Sequence, residues 1–147
     1  LEFGKKKLGR VNNINWFRGR AEELPFKKNF FDYYTISFGI RNVRDIDKAL
    51  KEAYRVLKPG GRFICLEFSK IEIKILNKLY KNYSKIIPKI GKLIVGKSKP
   101  YEYLTSSIEN FCSQDQFMNK IKKCKFKRSK YRNLSGGIAS IYSAWKI

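Results

Sequence analysis

The sequence predicts an α/β fold with parallel neighbouring strands, and the pattern of residues 31–68 is the main evidence for it. Residues 31–37 are aromatic and β-branched, as expected of a buried strand. Asp45 can cap the helix that follows, whose apolar side chains recur at helical spacing: Ile46, Ala49, Leu50, Ala53, Val56 and Leu57. Residues 62–68 form a second apolar run. A helical crossover of this length makes the two strands parallel neighbours in one sheet.

A proline–glycine turn separates the helix from the second strand. Residues 58–61 read Lys-Pro-Gly-Gly. Proline cannot continue a helix, and glycine permits the positive φ that a helix end commonly needs. The helix therefore has a defined stop just before the second strand.

Two elements and a loop are expected on the N-terminal side of this unit. Residues 1–10 have the pattern of the second half of a helix already under way. Residues 14–17 are expected to form a short strand, and residues 18–26 a loop that contains a proline.

A third helix, a fourth helix and a hairpin are expected after the second strand. Residues 71–96 predict an amphipathic helical region that Pro88 and Gly91 break, with lysines three or four apart on one face and apolar residues on another. Ser113 precedes another helix, which ends near Lys122 and Lys123. Residues 125–133 and 138–147 then predict two strands of an antiparallel hairpin.

The bulk composition indicates one globular domain with an unusual charge. The chain has 147 residues, of which 43% are hydrophobic and 15% aromatic. Its formal net charge is +21, which suggests an acidic partner such as nucleic acid or an anionic membrane. We favour the alternative that lysine simply stands where other polar residues would serve, because lysines occur along nearly the whole chain. No RNA-binding signature or zinc-finger spacing is present.

Cysteine and histidine content excludes two kinds of site within this chain. The three cysteines lie far apart, no CxxC pair exists and there is no histidine. A zinc site made of cysteine and histidine, or a histidine-based catalytic triad, is therefore excluded, and we predict no metal. Cys65 lies inside the second strand and is expected in the core. This cysteine usage fits a reducing compartment.

Several motifs along the chain resemble those of one enzyme family. They are "AEELPF" (21–26), "FGIRNV" (38–43), "YRVLKPGGR" (54–62), "LEFS" (66–69) and "YEYL" (101–104). Together they resemble the ubiquinone/menaquinone biosynthesis C-methyltransferases, the UbiE family, over essentially the whole chain. The turn motif is shared by many methyltransferases that use S-adenosylmethionine (SAM), whereas the combination with "FGIRNV" and "LEFS" is highly specific.

The resemblance implies a Rossmann-like SAM-dependent methyltransferase fold that ends in an antiparallel hairpin. The elements expected here match the second half of that fold. The family's glycine-rich loop and its ribose-binding acidic residue have no counterpart in the 147 residues. We therefore expect residues 1–147 to form a partial methyltransferase domain, in a fragment or truncated product. Alone, it should bind SAM weakly or not at all and be inactive.

The resemblance also assigns residues to the cofactor. Ser37 and the pair Arg20 and Ala21 correspond to SAM contacts in the family. Ser37 lies at the carboxyl end of a strand, where such sheets bind ligands. The alternative is that the Ser37 hydroxyl forms a hydrogen bond with the backbone at the strand end and does not contact the cofactor. Where the family usually has Asn or Asp, this chain has Arg20, a cation without the acceptor that adenine's amino group needs.

Arg41 and Asn42 are the candidate catalytic residues. Methylation of a ring carbon needs an electron-rich ring, which deprotonation of a neighbouring phenol supplies. Arginine is too basic to take that proton at neutral pH, but it can stabilise the phenolate or orient a water that removes the proton. Asn42 can hold that water or a quinol oxygen. The alternatives are a loop salt bridge for Arg41 and a left-handed turn conformation for Asn42.

Two acidic residues nearby are not assigned to catalysis. Glu67 ends the second strand near the same edge, where its carboxylate can face the pocket. Glutamates at strand ends are often merely solvated, so we expect that instead and assign it no role in the site. Asp32 is expected to have a structural role at the start of the first strand. Neither is predicted to be catalytic.

The predicted function is SAM-dependent C-methylation of a polyprenylated benzoquinol or naphthoquinol. The alternatives are a non-catalytic remnant that only binds partners and a methyltransferase acting on nucleic acid, although no nucleic-acid partner is expected. The lysine face of residues 71–96 suggests peripheral membrane contact, with a plain amphipathic cover over the sheet as the alternative. A homodimer is also considered. The predicted location is cytoplasmic and peripheral at the inner membrane, or on the matrix side of the mitochondrial inner membrane.

Overall fold

The computed structural model describes residues 2–8, 13–70 and 99–147. Its helices are α1 Glu2–Leu8, α2 Ile46–Val56, α3 Lys99–Asn110 and α4 Gln114–Lys123. Its strands are β1 Phe31–Ser37, β2 Leu57–Phe68, β3 Lys127–Leu134 and β4 Ala139–Trp145. Short 3₁₀ turns occupy Ile40–Asn42 and Ser135–Gly137.

The four strands form one mixed sheet in the order β1-β2-β4-β3. β1 and β2 are parallel, as the intervening helix requires, and Ser37 pairs with Leu66 at their carboxyl ends. β4 is antiparallel to both β2 and β3 and lies between them. The C-terminal hairpin therefore adds to the sheet in the reverse direction, as predicted.

The crossover from β1 to β2 follows the sequence signals closely. The Asp45 side chain accepts a hydrogen bond from the Lys48 amide at 3.0 Å and caps α2. After α2, the pairing of β1 with β2 shifts register between Phe31 and Tyr33, where the proline–glycine turn bulges out. Gly60 there has a φ of +79°. A Cβ on Gly61 would lie 2.8 Å from the Lys58 carbonyl oxygen, so the turn needs glycine at this position as well.

The core lies between one face of the sheet and the two helices α2 and α4. The helices contribute Ala49, Leu50, Ala53, Phe117, Met118 and Ile121, and the strands contribute Phe63, Cys65, Tyr142 and Ala144. Cys65 is fully buried, as predicted. α4 begins at a capping box in which Ser113 and Gln116 bond each other's backbone amides. Burial of this apolar surface is the main stabilising contribution to the fold.

Three differences from the sequence expectations stand out. Residues 14–17 do not form the predicted strand. They have no ladder partner, and Phe17 instead packs edge-on against Phe26 with ring centroids 5.0 Å apart. α3 was not predicted, and the strand boundaries move by a few residues. The helix predicted over residues 71–96 lies outside the described residues.

Candidate functional site

The candidate site lies where the parallel strands β1 and β2 end. The Phe38 amide donates to the Leu66 carbonyl at 2.8 Å and is the last link between the two strands. Phe38 has a φ of +51°, a conformation that costs a non-glycine residue free energy and is enriched at functional sites. The chain then turns through Ile40–Asn42 towards the start of α2. This loop contains both candidate catalytic residues.

Arg41 forms a buried ion pair with Glu67. An Nη1 hydrogen of Arg41 is donated to Glu67 Oε1 at 2.6 Å, and the two side chains are only 7% and 0% exposed. Nη1 also donates to the Phe38 carbonyl at 2.7 Å, and Nε donates to Ser107 Oγ at 3.2 Å. The guanidinium carbon lies 5.2 Å from the centre of the Phe68 ring. The guanidinium is thus held from several sides.

The carboxylate of Glu67 also fixes the backbone around it. Its Oε2 accepts from the Arg41 amide at 3.3 Å, and its Oε1 accepts from the Phe68 amide at 2.9 Å. A buried carboxylate without such partners would be strongly unfavourable, because burial removes its hydration. One side chain at the end of β2 therefore stabilises both the fold and the charge of the loop after β1.

Helix α3 contacts the same loop through two side chains. Ser107 accepts from Arg41, and its own hydroxyl hydrogen is donated to the Leu104 carbonyl at 2.9 Å. The Tyr103 hydroxyl donates to Asn42 Oδ1 at 2.9 Å, although the Tyr103 side chain is largely exposed. Each of the two candidate catalytic residues thus has a hydrogen-bond partner on α3.

A cleft of about 440 Å³ opens beside these residues. Its lining comprises Arg41, Ile46, Tyr103, Ser106, Ser107, Asn110, Phe111, Cys112 and Lys120. Burial raises the pKa of the Cys112 thiol, so this cysteine stays protonated at neutral pH and is a poor nucleophile. Lys120 is paired with Asp47 at 2.8 Å. Among the described lining residues, Arg41 is therefore the cation best placed to act on a ligand.

The loop that contains Arg20 and Ala21 is bound to the same region. Glu22 Oε1 accepts from the backbone amides of Arg44 and Asp45 at 2.8 and 3.4 Å, which joins this loop to the residues that follow Asn42. Hydrogen bonds from backbone amides lower the pKa of the Glu22 carboxyl. The predicted cofactor loop and the predicted catalytic loop are therefore neighbours.

An ion pair on α2 anchors the other end of the loop. Arg55 donates to Glu52 at 2.7 Å and to the carbonyls of Leu24 and Phe26, while Glu52 accepts from the Leu24 amide. The hydrogen bonds from Arg55 lower the pKa of the Glu52 carboxyl. The motif "AEELPF" therefore encodes a loop fastened to α2.

A comparison with models of protein families shows which family this chain belongs to. The model of the ubiE/COQ5 methyltransferase family matches residues 1–146. This chain belongs to the ubiE/COQ5 methyltransferase family. That result confirms the resemblance inferred from the motifs.

Two relatives show how close the match is. A protein of Rickettsia bellii named "Ubiquinone/menaquinone biosynthesis C-methyltransferase UbiE" is 56% identical over 151 residues, covering 100% of this chain and 61% of that protein. A Brucella canis protein of the same name is 54% identical over 142 residues, covering 96% of this chain and 53% of that protein. The chain thus spans about half to three-fifths of the length of these relatives.

Solved structures with low sequence identity share the fold. A SAM-dependent methyltransferase from Thermotoga maritima superposes with a TM-score of 0.67 at 23% identity, covering 97% of this chain and 68% of that one. One from Aquifex aeolicus gives 0.65 at 16% identity, covering 99% and 61%. The Rossmann-like methyltransferase fold predicted for this ubiE/COQ5 family member is therefore confirmed.

The structure corrects the expectation for Glu67. The carboxylate is not solvated at the strand end but is fully buried against Arg41. The β2 pattern contained the signal: Phe63, Cys65 and Glu67 alternate on the same face, and that face is the core face. An acid on a buried face needs a cation as partner, and "FGIRNV" supplies it.

The remaining site residues are placed as follows. Asn42 lies in the 3₁₀ turn, so the left-handed alternative for it is wrong. The alternative for Arg41 was a salt bridge, and the structure contains one, the ion pair with Glu67. Asp32 pairs with Lys58 at the start of β1, in keeping with a structural role. No role was predicted for Ser107 or Tyr103. The motif "YEYL", which contains Tyr103, was the available signal, but a motif does not show that α3 contacts this loop.

Proposed function

We propose that this ubiE/COQ5 family member transfers the methyl group of SAM to a ring carbon of a polyprenylated benzoquinol or naphthoquinol. The names of its close relatives and the "FGIRNV" and "LEFS" motifs support this substrate class. The observation that supports it best is Arg41, a guanidinium that is buried, held from several sides and still lines a cleft at the end of β1.

SAM is the proposed cofactor, and the described residues at the sheet edge fit it in part. Ser37 presents an exposed hydroxyl at the carboxyl end of β1, where α/β sheets bind their ligands. Ala21 offers backbone groups in the neighbouring loop. Arg20 is exposed, and its Nε lies 3.9 Å from a Glu22 carboxylate oxygen, so it supplies a cation instead of an acceptor. We propose Ser37, Arg20 and Ala21 as cofactor-binding residues.

Bound SAM would supply an electrophilic methyl group on a positively charged sulfur. The role proposed for Arg41 is to stabilise the phenolate form of the quinol, which makes the adjacent ring carbon electron-rich. That carbon would form the new C–C bond while the sulfur–methyl bond breaks and its electron pair stays on sulfur, which becomes neutral. The ring carbon would then lose its proton to a water or buffer base, so that aromaticity returns. A guanidinium that is already oriented in a dry site stabilises such developing charge without reorganisation.

Asn42 is proposed to orient the second partner in this step. Its side-chain oxygen accepts from Tyr103, so its amide nitrogen can donate to a quinol oxygen or to the water that removes the proton. Asn42 adjoins Arg41 in the same 3₁₀ turn. The two donors thus belong to one short rigid segment rather than to separate loops.

An enzyme that acts on a polyprenyl substrate benefits from contact with a membrane surface. We propose that one basic face of this protein makes that contact. Residues 116–147 contain no acidic residue. Their exposed cations define the basic face: Lys122, Lys123, Lys125, Lys127, Arg128, Lys130 and Arg132. None of them forms an ion pair with another described residue. No helix in the described ranges is long and apolar enough to cross a bilayer. Attachment of the protein to the membrane surface and formation of a homodimer are both predictions.

The protein expressed from its complete gene should restore quinone methylation in a bacterium that lacks its own quinone C-methyltransferase. Mass spectrometry of extracted quinones should then show the methylated species in place of the demethylated one. A catalytically inert family member expressed at the same level is the control. Good expression without methylated quinone would contradict the proposed function.

In the protein expressed from its complete gene, Arg41→Lys should lower kcat strongly while leaving the dissociation constant of SAM nearly unchanged. Lysine keeps the charge opposite Glu67 but cannot reproduce the planar fork of the guanidinium. Loss of one preorganised donor costs about 2.7–4 kcal/mol of barrier. Arg41→Ala should have at least as large an effect.

Steady-state kinetics and calorimetry on folded protein would measure these effects. Arg44→Lys, at a neighbouring arginine whose side chain is not proposed to act, is the matched control. Turnover near the wild-type rate in Arg41→Lys, or a loss confined to SAM affinity, would assign Arg41 to a purely structural role.

Binding to vesicles should depend on the basic face. Replacing Lys127, Arg128, Lys130 and Arg132 by glutamine should weaken binding to vesicles rich in phosphatidylglycerol by at least about tenfold, since each cation near an anionic surface contributes about 1 kcal/mol. The control replaces Lys5, Lys6, Lys7 and Lys27 in the same way. Equal losses in both variants, or binding to RNA in preference to vesicles, would contradict this surface assignment.

A further inference from the structure

We infer that Glu67 is a positioning residue, which fixes the guanidinium of Arg41 for the methyl transfer. The inference rests on the proposed function, because it assigns Glu67 a role in that reaction. It concerns a carboxylate at the end of β2 that is not among the residues lining the cleft.

The burial of Glu67 is the first argument. Its side chain has no exposed surface, and replacing a buried ion pair with apolar side chains of similar volume is often neutral or stabilising. A contribution to stability alone therefore does not explain why an ion pair is buried here. What it provides is a defined direction for the Arg41 side chain and a defined path for the loop backbone.

The geometry of the contacts is the second argument. Glu67 Oε1 and the Phe38 carbonyl both accept from Nη1, and Ser107 accepts from Nε. The remaining nitrogen, Nη2, donates to none of the described residues. Arg41 nonetheless lines the cleft, so Nη2 is the nitrogen left for a ligand. Glu67 thus binds the Nη1 side of the guanidinium and leaves the Nη2 side available to bind a ligand.

The backbone contact is the third argument. Glu67 Oε2 accepts from the Arg41 amide, so the same carboxylate fixes the Cα end as well as the guanidinium end of the residue. Removal of the charge should let the guanidinium turn within the site. Misplacement of a catalytic group by about 1 Å can reduce the rate about 10²-fold.

A double-mutant cycle on kcat, measured on the protein expressed from its complete gene, tests the inference. Glu67→Gln keeps the size and the acceptor oxygen but removes the charge. It should reduce kcat about 10²-fold and change the KM for SAM little. In an Arg41→Gln background it should have no further effect, because a residue that acts only through Arg41 cannot act once Arg41 is gone. The neutral pair Arg41→Gln/Glu67→Gln also avoids an unpaired buried charge, so it keeps the cycle measurable.

The control is Asp32→Asn, at an exposed aspartate that pairs with Lys58 and does not line the cleft. It should leave kcat near the wild-type value. A wild-type rate in Glu67→Gln, or an equal loss in both Arg41 backgrounds, would overturn the inference.

A second measurement separates this inference from the proposed function. NMR of the Arg41 Nε–H should show slow exchange with solvent in the wild type and fast exchange in Glu67→Gln. If the wild-type protein methylates no quinol, the proposed function fails, and the exchange rates still decide whether Glu67 fixes Arg41. Equal exchange in the two proteins would overturn the positioning role in either case.

Discussion

The buried ion pair between Arg41 and Glu67 is the interaction on which the rest of the candidate site depends. Its two members come from different ends of the crossover unit, one from the loop after β1 and the other from the end of β2. Neither charge can remain buried without the other, because burial removes hydration that only a close counter-charge and hydrogen bonds replace. The pair therefore links the shape of the loop to the integrity of the sheet.

The reversed hairpin covers the edge of β2 that faces away from β1. Glu67 pairs with Ser140 on β4, and the Ser140 hydroxyl is itself buried and bonded to Ser69 and Asn133. The Ser69 hydroxyl also donates to the Gly137 carbonyl in the hairpin turn. A hairpin placed antiparallel beside β2 thus closes the end of that strand with a small polar network. This network lies beside Glu67 in the sheet, while the carboxylate itself is bonded to Arg41 and to the Phe68 amide.

Helix α3 completes the arrangement from the opposite side. Ser107 bonds Arg41 and Tyr103 bonds Asn42, so the two proposed catalytic residues share one helix as their support. Movement of α3 would release both at once. The loop of residues 20–26, fastened by Glu22 to the same segment and by Arg55 to α2, adds the proposed cofactor contacts to the same edge of the sheet.

Much of this could be predicted from the sequence, and the exceptions have physical causes. The strands β1 and β2, the capped helix between them and the hairpin follow from local signals such as Asp45, Gly60 and alternating apolar residues. The strand expected at residues 14–17 was wrong, because strand formation depends on a partner that local pattern does not report. Glu67 was expected to be solvated, although its alternation with Phe63 and Cys65 indicated the buried face, because the pattern alone does not show that Arg41 of the preceding loop reaches it. The contacts of α3 with this loop were not predicted because a sequence motif does not show what the helix packs against.

The free energy of unfolding of single and double variants of the pair tests the central claim most directly. Arg41→Met and Glu67→Met should each destabilise the protein by about 3–5 kcal/mol, because each leaves one charge buried and unpaired, while the double variant should recover most of that loss. Asp32→Ala, which breaks the exposed pair with Lys58, should cost no more than about 1 kcal/mol. If the two single variants cost as little as Asp32→Ala, or if their effects simply add, Arg41 and Glu67 do not form the buried pair on which this account depends.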